Sequence, residues 1–428
     1  MPFQMKIDSV ASRVRRGTNR ALEIPSKIPS EAESGRGFDI VVLGLSLSSS
    51  WGNGHATTYR SLLREMHSRG HRVTFLERDV PWYASNRDLA TAPYCRLALY
   101  SSVDDLRERF GEQIRSADVV IVGSFVPDGV EVAKWVLKTA RGATAFYDID
   151  TPVTLAKIGR GDYEYISPEL IPEFDLYLSF TGGATLDRLE NEFGAQAARA
   201  LFCSVDPDAY YPDGENQRDG EESEGGGGSG GGGGGMRGMG GMGGGEFQYD
   251  LGYLGTYSED RQPRLERRML DAARSWPAGR FIVVGPGYPA EIRWPTNVGF
   301  SPHLPPSEHR QFYTTQRFTL NITRVDMVRV GYAPSVRLFE AAACGTPIIS
   351  DYWEGIETLF EPGREILISH CGEDTLRHLR DMSDGERRAV GRRARARVLS
   401  AHTAAHRARE LEDYLTEMME YRDSPEAR

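Results

Sequence analysis

Strands and helices alternate along this chain, and that alternation constrains its fold more than any other feature. The apolar run DIVVLGLSL, which starts at Asp39, has the composition of a buried parallel strand. The loop SSSWGNGH follows it, then a helix from about Ala56 to Arg69 and the strand HRVTFLER. A strand, a helix and a second strand in this order form a βαβ unit, which predicts a parallel sheet.

The same series continues to Pro212 and begins again at Tyr249. We therefore predict two α/β domains in tandem, at residues 37–212 and 248–395. Sites in such domains lie at the carboxyl ends of the strands, so the two sites are expected to face each other across a cleft. A charged C-terminal helix over residues 396–421 is expected to pack back on the first domain.

Two further segments have a composition that is typical of disorder. Residues 1–36 are polar and basic, and no apolar stretch follows the pair Arg15 and Arg16. This predicts a disordered tail rather than a signal peptide, with a weak contact to acidic lipid as the alternative. Residues 213–247 are rich in glycine and predict a disordered linker between the domains.

The composition of the chain argues against several kinds of partner. A net charge of -10 over 428 residues argues against a surface that binds nucleic acid, although local basic clusters can still hold a phosphate. The four cysteines lack the spacing of metal ligands, which predicts free thiols in a reducing compartment and therefore a cytoplasmic protein. No apolar run reaches the roughly eighteen residues that a membrane span needs.

The stretch from Ala333 to Ser350, APSVRLFEAAACGTPIIS, predicts a short helix with an anion-binding N-terminus. Ser335 is a suitable N-cap, and Gly345 ends the helix. Backbone N–H groups at the start of a helix can hold a phosphate, and Glu340, further into the helix, can accept hydrogen bonds from sugar hydroxyls. This combination indicates a nucleotide-sugar site; the alternative is an ordinary α/β helix with a solvated glutamate.

Two arginines strengthen the phosphate interpretation. Arg324 follows the predicted strand FTLNIT, and Arg337 lies in the first turn of the helix that starts at Ser335. Because a guanidinium fork matches phosphate oxygens, we expect both to neutralise a diphosphate. For Arg337 the alternative is a salt bridge on the helix surface.

Turns that contain glycine follow the first two strands of the second series. Gly255 and Thr256 follow the first of these strands, and Gly285 and Tyr288 follow the second. Glycine permits close approach of a nucleotide to the backbone, and Tyr288 can stack on its base. A tight turn with a surface tyrosine is the alternative.

The loop after the first strand of the chain holds candidate acceptor-binding residues, Gly52, Asn53 and Gly54, and then His55. It lacks the GxGxxG spacing, so a nicotinamide-binding fold is not indicated. The glycines permit close approach of a substrate, and His55 can bind a ligand or act as a base. The alternative is a histidine that only caps a helix or fills a loop.

Asp148 and Asp150 follow another strand, and alternation predicts that both carboxylates lie on one side of it. A close pair can raise one pKa, which suits a general base, and Asp150 is the favoured base because it lies nearer the strand end. Alternatively, Asp148 binds local backbone and Asp150 caps the next turn. Gly182, after a further strand, offers a backbone N–H to an acceptor.

Two groups of motifs resemble those of known enzymes. The motif RLFEAAACGTPIIS followed by FEPGRE resembles the donor-binding signature of GT-B glycosyltransferases. The chain also contains the stretches SWGNGH, LERDVPWY, FYDIDTP, LSFTGG, DLGYLGTYS, LNITR and SVRLFEAAACG. Together these stretches resemble the CgeB-like (spore maturation protein) glycosyltransferase family of the GT-B superfamily.

The resemblance implies a GT-B fold, that is, two Rossmann-like parallel-sheet domains facing a central cleft. The first would bind the acceptor and the second the nucleotide-sugar donor, with Glu340 binding the donor ribose. Retaining members often carry a second glutamate eight residues before this one, and here that position is Tyr332. Enzymes of this type usually need no metal, and no cofactor is implied.

The expected function is transfer of a sugar from a nucleoside-diphosphate sugar to a glycan, protein or small-molecule acceptor. Asp150 or His55 would deprotonate the acceptor if the reaction inverts the sugar. Three alternatives stay open: a non-catalytic nucleotide-sugar-binding protein in surface-layer assembly, a GT-B-type nucleotide-sugar epimerase, and a structural protein that binds no nucleotide.

Overall fold

The computed structural model of the protein describes residues 37–51, 54–214 and 247–424. The predictions made for the tail at residues 1–36, for Gly52 and Asn53, and for nearly all of the glycine-rich segment fall outside these ranges.

The first half of the chain forms a seven-stranded parallel sheet. Its elements, in chain order, are β1 (Asp39–Gly44), α1 (His55–Ser68), β2 (Arg72–Arg78), α2 (Pro81–Ala84), β3 (Arg96–Tyr100), α3 (Val103–Ser116), β4 (Val119–Gly123), α4 (Gly129–Thr139), β5 (Ala143–Asp148), α5 (Thr151–Gly159), β6 (Leu176–Ser179), α6 (Ala184–Asn191) and β7 (Ala198–Ala200). Both faces of the sheet are covered: Val41 and Leu43 of β1 pack on one face, and Ile40 and Val42 pack on the other. This explains the continuous apolar run in the sequence.

The second half forms a six-stranded parallel sheet. Its elements are β8 (Tyr249–Leu254), α7 (Gln262–Leu265), a π-helical turn (Glu266–Leu270), α8 (Asp271–Ser275), β9 (Phe281–Val284), β10 (Val298–Ser301), α9 (Pro306–Thr314), β11 (Gln316–Asn321), α10 (Val325–Val330), α11 (Val336–Ala343), β12 (Ile348–Ser350), β13 (Leu367–Ile368), α12 (Gly372–Asp381), α13 (Asp384–Ala401) and α14 (Ala404–Asp423). The last three helices follow the final strand.

The six strands of the second sheet have the same order as the first six strands of the first sheet. The first runs β3-β2-β1-β4-β5-β6-β7 and the second runs β10-β9-β8-β11-β12-β13, with every pair parallel. In each sheet the chain winds outwards in both directions from the first strand, which is the Rossmann-like arrangement. The predicted fold class, two Rossmann-like parallel-sheet domains, is therefore confirmed.

The sequence pattern missed the outer strands β3 and β10. Both lie at the edge of a sheet, and several of their residues are partly or fully exposed. Each of these edge strands has a single buried residue, whereas central strands such as β4 are buried along their whole length. The missing strands lie on the outer side of β2 and β9.

The C-terminal region consists of three helices, α12, α13 and α14, where the sequence predicted a helix over residues 396–421. A capping box at Ser383 starts α13, and the chain turns at His402 and Thr403 before α14. Helix α14 packs against α1, where Arg69 pairs with Glu412. The helix that lies against the first half thus begins at Ala404, eight residues later than predicted.

Glu77, in β2, fixes the loop that follows β1. Its carboxylate is fully buried and accepts hydrogen bonds from the backbone N–H groups of Leu47 (2.7 Å) and Ser48 (2.8 Å). The hydroxyls of Ser46 (3.0 Å) and Ser48 (2.6 Å) also donate to it. A buried carboxylate with this number of donors holds the loop in one conformation.

We expect Glu77→Ala to lower the free energy of unfolding by about 3 kcal/mol, because several buried donors would lose their acceptor. Urea unfolding followed by circular dichroism measures the change. Glu112→Ala, at an exposed position of α3, is the matched control and is expected to change stability by less than about 0.5 kcal/mol. Equal losses in the two variants would contradict the bracing role of Glu77.

Candidate active site

The carboxyl ends of the two sheets border one cavity of about 300 Å³. It lies at the crevices beside β1 and β8, where parallel sheets of this order bind ligands. The predicted residues that border it are Gly54, His55, Asp150, Gly255, Thr256, Gly285, Arg324, Ser335, Arg337 and Glu340. The sequence therefore located ten residues of the described wall, from both halves of the chain.

Ser335 stands at the N-cap position of α11, but its side chain does not cap the helix. Its hydroxyl donates to Asn321 Oδ1 at 2.8 Å, and no backbone N–H of the helix donates to it. The predicted capping bond is therefore wrong, because a buried asparagine of β11 takes the hydroxyl instead. The start of α11 borders the cavity with its first-turn N–H groups not bound by this side chain.

Arg337 is buried and held in a fixed position. Its Nε donates to the carbonyl oxygen of Leu254 (2.5 Å), its Nη1 donates to Asn321 Oδ1 (2.8 Å), and its guanidinium lies over the ring of Tyr253. A side chain on Gly255 would come within 2.9 Å of Nη2, so the glycine leaves room for this arginine. The alternative of a surface salt bridge is wrong, because the guanidinium is buried among neutral groups.

Glu340 is a buried carboxylate on the wall of the cavity. Its Oε2 accepts a hydrogen bond from the hydroxyl of Tyr313 at 3.0 Å. The alternative of a solvated glutamate is wrong. A buried carboxylate gains stability from every hydrogen-bond donor that reaches it, so this position favours a ligand that carries hydroxyl groups.

His55, Asp150 and Arg324 meet where the two halves of the chain approach each other. Arg324 Nη1 lies 3.4 Å from Asp150 Oδ2. Burial lowers the pKa of His55; the charge of Asp150 opposes this effect and that of Arg324 adds to it. The ring of His55 also lies near that of Phe180, with 5.8 Å between centroids.

Asp148 does not share this location. It is fully buried outside the cavity wall and accepts hydrogen bonds from the hydroxyls of Tyr177 (2.6 Å) and Thr154 (2.8 Å) and the N–H of Asp150 (3.2 Å). The predicted carboxylate pair on one side of a strand is wrong, because β5 ends at Asp148 and strand alternation no longer applies at Asp150. Asp148 instead braces the backbone that carries Asp150, and its prediction as an acceptor-binding residue has no geometric support.

Gly182 and Tyr288 also lie away from the cavity wall. The N–H of Gly182 donates to the carbonyl oxygen of Tyr332 at 3.0 Å, so this donor is already used. The hydroxyl of Tyr288 donates to the carbonyl oxygen of Gly255 at 3.2 Å, and its ring packs against Trp294 and Phe300. The N–H of Gly182 is therefore already hydrogen-bonded and the ring of Tyr288 is already packed, so neither is placed to bind a ligand as predicted.

Tyr332, which stands where the resemblance leads one to expect a glutamate, fills a contact between the two halves. Its ring occupies the space where side chains on Gly183 and Gly355 would otherwise lie. The residue has a left-handed backbone with φ of 49°, and its N–H donates to the carbonyl oxygen of Glu354. A tyrosine in this place makes a structural contact rather than a ligand contact.

Sequence reasoning missed several residues of the cavity wall. Arg261 is fixed by bonds to the carbonyl oxygen of Thr256 (2.6 Å) and the hydroxyl of Ser258 (2.9 Å). It lies in the loop after β8, so the glycine turn at Gly255 was the signal that could have found it. His303 borders the cavity from the second half and packs on Trp51 of the first, with 4.0 Å between ring centroids, and nothing local in the sequence predicts that contact.

The described ranges contain no group of three histidine, cysteine or carboxylate side chains placed to hold a metal ion. Among the helices within those ranges, none has the length and apolar character needed to cross a membrane.

Asp148 gives a pH-dependent prediction, because burial raises its pKa from 3.8 to about 6. The folded carboxyl keeps its proton to a higher pH than the unfolded one, so its contribution to the free energy of unfolding falls as the pH rises between these values. The fall is expected to reach ~3 kcal/mol. Unfolding of the protein and of Asp148→Asn across pH 4 to 7 measures it. Parallel pH profiles for the two proteins would contradict the raised pKa.

Comparison with known proteins supports the fold. Residues 261–413 match a family model described as Glycosyl transferase-like. No curated protein matches the chain in sequence.

Solved structures resemble the chain over both halves. Sucrose-phosphate synthase from Thermosynechococcus elongatus is 13% identical, with a TM-score of 0.61 over 90% of this chain and 100% of that one. HepE from Anabaena in complex with UDP and glucose is 11% identical, with a TM-score of 0.62 over 89% of this chain and 99% of that one. An alpha-glucosyltransferase in complex with UDP-glucose and DNA containing an abasic site is 13% identical, with a TM-score of 0.63 over 89% of this chain and 100% of that one. This chain therefore has the two-domain fold of GT-B glycosyltransferases.

Proposed function

We propose that this protein is a glycosyltransferase that moves a sugar from a nucleoside-diphosphate sugar to an acceptor hydroxyl. The observation that carries the proposal is the cavity itself, which joins a helix N-terminus, three arginines and a buried glutamate at the carboxyl ends of two Rossmann-like sheets. Similar structures containing UDP, or UDP-glucose, support a nucleotide-sugar donor. The match of residues 261–413 to the glycosyl transferase-like model supports the same reaction.

The donor diphosphate is proposed to lie at the start of α11. The N–H groups of the first turn and the positive end of the helix dipole favour an anion there. Arg324 and Arg261 border the same space and add positive charge. When the bond between the sugar and the diphosphate breaks, these fixed groups stabilise the charge that develops on the leaving diphosphate.

Glu340 is proposed to hold the ribose of the donor. Its Oε2 accepts a hydrogen bond from the hydroxyl of Tyr313, which holds that oxygen in place. Ribose hydroxyls can donate to a carboxylate in this position, and a buried carboxylate gains more from each donor than an exposed one does.

The acceptor is proposed to bind beside His55 and Asp150. Its hydroxyl oxygen attacks the anomeric carbon, the bond from that carbon to the diphosphate oxygen breaks, and the hydroxyl proton passes to one of these two side chains. The lowered pKa of His55 keeps the imidazole neutral near pH 7, as a proton acceptor must be. Displacement in this single step inverts the configuration of the sugar.

The proposal also includes a glycosyltransferase family and a cellular compartment. The motifs that resemble the CgeB-like family support a place for this chain among those glycosyltransferases. Cys95, Cys203, Cys344 and Cys371 are free thiols, which supports a reducing compartment such as the cytoplasm.

Binding of UDP, ADP and GDP to the protein and to Glu340→Ala tests the donor site. One of these nucleotides is expected to stabilise the protein by roughly 2.7 kcal/mol at a hundredfold excess over its Kd, measured by thermal shift and titration calorimetry. Loss of the ribose contact is expected to raise that Kd at least about tenfold. Glu112→Ala, at an exposed site of α3 paired with Arg115, is the matched control. Unchanged affinity in Glu340→Ala would contradict the ribose role, and no binding of any nucleotide would contradict the proposed function.

Turnover is tested separately, by release of UDP from UDP-glucose with a panel of sugar, glycan and peptide acceptors. We expect release that depends on an acceptor and persists in EDTA, because protein groups supply the positive charge at the diphosphate. Binding without release on any acceptor would favour a non-catalytic binding protein. A changed sugar nucleotide without an acceptor would favour an epimerase, and activity lost in EDTA and restored by Mg²⁺ would contradict metal independence.

A further inference from the structure

We propose that Arg324 serves the two halves of the site in turn, pairing with Asp150 in the empty protein and with the donor diphosphate in the loaded one. Donor binding would then release Asp150 for the acceptor, so the donor binds first. This inference rests on the proposed function and adds an order of binding to it.

The two residues are carried by elements from opposite halves of the chain. Asp150 immediately precedes α5 and Arg324 immediately precedes α10, and these two helices pack against each other. The backbone at the start of α10 is fixed separately, because the N–H of Val325 donates to Asp260 Oδ2 at 2.9 Å. The guanidinium of Arg324 can therefore change partner without movement of its helix.

The three arginines of the cavity differ in how firmly they are held. Arg337 and Arg261 each donate to a backbone carbonyl oxygen at 2.6 Å or less, and each makes a second bond to a side chain. The guanidinium of Arg324 makes one hydrogen bond within the described ranges, at 3.4 Å to Asp150, and its charge also acts on Asp260. Its side chain is 37% exposed, so it is the arginine of this wall that can reorient.

The exchange of partners is electrostatically favourable. A single nitrogen–oxygen contact at 3.4 Å makes poor use of a guanidinium, whereas a diphosphate offers more negative charge and oxygens that match the guanidinium fork. The exchange also has a free-energy cost. The side chain of Asp150 is only 13% exposed, and it loses the positive charge beside it when Arg324 turns to the diphosphate. An acceptor hydroxyl that donates to the released carboxylate reduces that cost.

His55 is affected by the same exchange. Asp150 and Arg324 act on it with opposite charges, and Arg261, Arg337 and Glu340 are the other charged side chains on the described wall. Movement of Arg324 towards the diphosphate leaves the carboxylate as the nearer charge, which makes His55 a stronger base. The exchange therefore prepares both candidate bases for the acceptor only after the donor has bound.

Nucleotide affinity in single and double variants tests the proposal, with UDP, ADP and GDP as probes and calorimetry as the readout. Asp150→Asn keeps a residue suited to the start of α5 and removes the charge that competes for Arg324. We expect it to tighten nucleotide binding about fivefold, and Arg324→Ala to weaken binding about tenfold. In the Asp150→Asn, Arg324→Ala double variant the gain from Asp150→Asn is expected to disappear.

The double variant separates exchange from simple repulsion. If Asp150 only repelled the phosphates, its removal would tighten binding equally with and without Arg324, which would overturn the proposal. Weaker or unchanged binding in Asp150→Asn would also overturn it while leaving the proposed function intact. Absence of nucleotide binding in the unaltered protein would overturn both.

Two controls complete the experiment. Asp326→Asn removes a carboxylate of α10 that pairs with Arg329, and we expect no change in nucleotide affinity. Asp150→Ser is a second variant that removes the charge and keeps a residue favoured at the N-cap position of α5, and it is used if Asp150→Asn has an altered circular dichroism spectrum or thermal midpoint.

Discussion

The shared strand order of the two parallel sheets is the constraint on which the rest of this structure depends. In each sheet the chain winds away from the first strand in both directions, so a crevice opens at the carboxyl ends of the central strands. The two crevices border one cavity, and no single loop has to supply the whole site. Groups from loops far apart in sequence meet there because the sheets fix where each loop begins.

Buried polar side chains hold these loops in position. Glu77 braces the loop after β1, and Asp148 braces the turn that carries Asp150. Asn321 plays the same part in the second half, where it accepts from both Ser335 and Arg337. A donor or acceptor left alone in these places would cost stability, so each network favours one loop conformation. By comparison, the pair of Arg324 and Asp150 is loosely made, and that difference underlies the proposed exchange.

The sequence was most informative where function depends on local pattern. Ser335, Arg337 and Glu340 lie at or within one short helix, so one local motif contains all three of these wall residues. The glycine turns at Gly255 and Gly285 were found because parallel sheets place ligands after their strands. The central strands were predicted from their buried apolar runs, whereas the edge strands β3 and β10, which have one buried residue each, were missed.

Local pattern could not predict contacts between distant segments. Arg324 and Asp150 are 174 residues apart, and nothing in either neighbourhood indicates the other. Tyr288 follows a glycine turn and was therefore expected to stack on the base of the nucleotide. Its ring instead packs against the rings of Trp294 and Phe300. Asp148 accepts a hydrogen bond from the hydroxyl of Tyr177 in the neighbouring strand. Strand alternation within β5 does not predict this contact. These errors arise from packing between elements rather than from misreading the elements themselves.

A crystal structure of the protein with UDP would show the donor site and the exchange together. We expect the diphosphate at the first turn of α11, the ribose hydroxyls on Glu340, and the guanidinium of Arg324 turned from Asp150 to a phosphate oxygen. A nucleotide bound away from α11 would contradict the donor site. A nucleotide bound at α11 with the pair of Arg324 and Asp150 intact would retain the site and contradict the exchange.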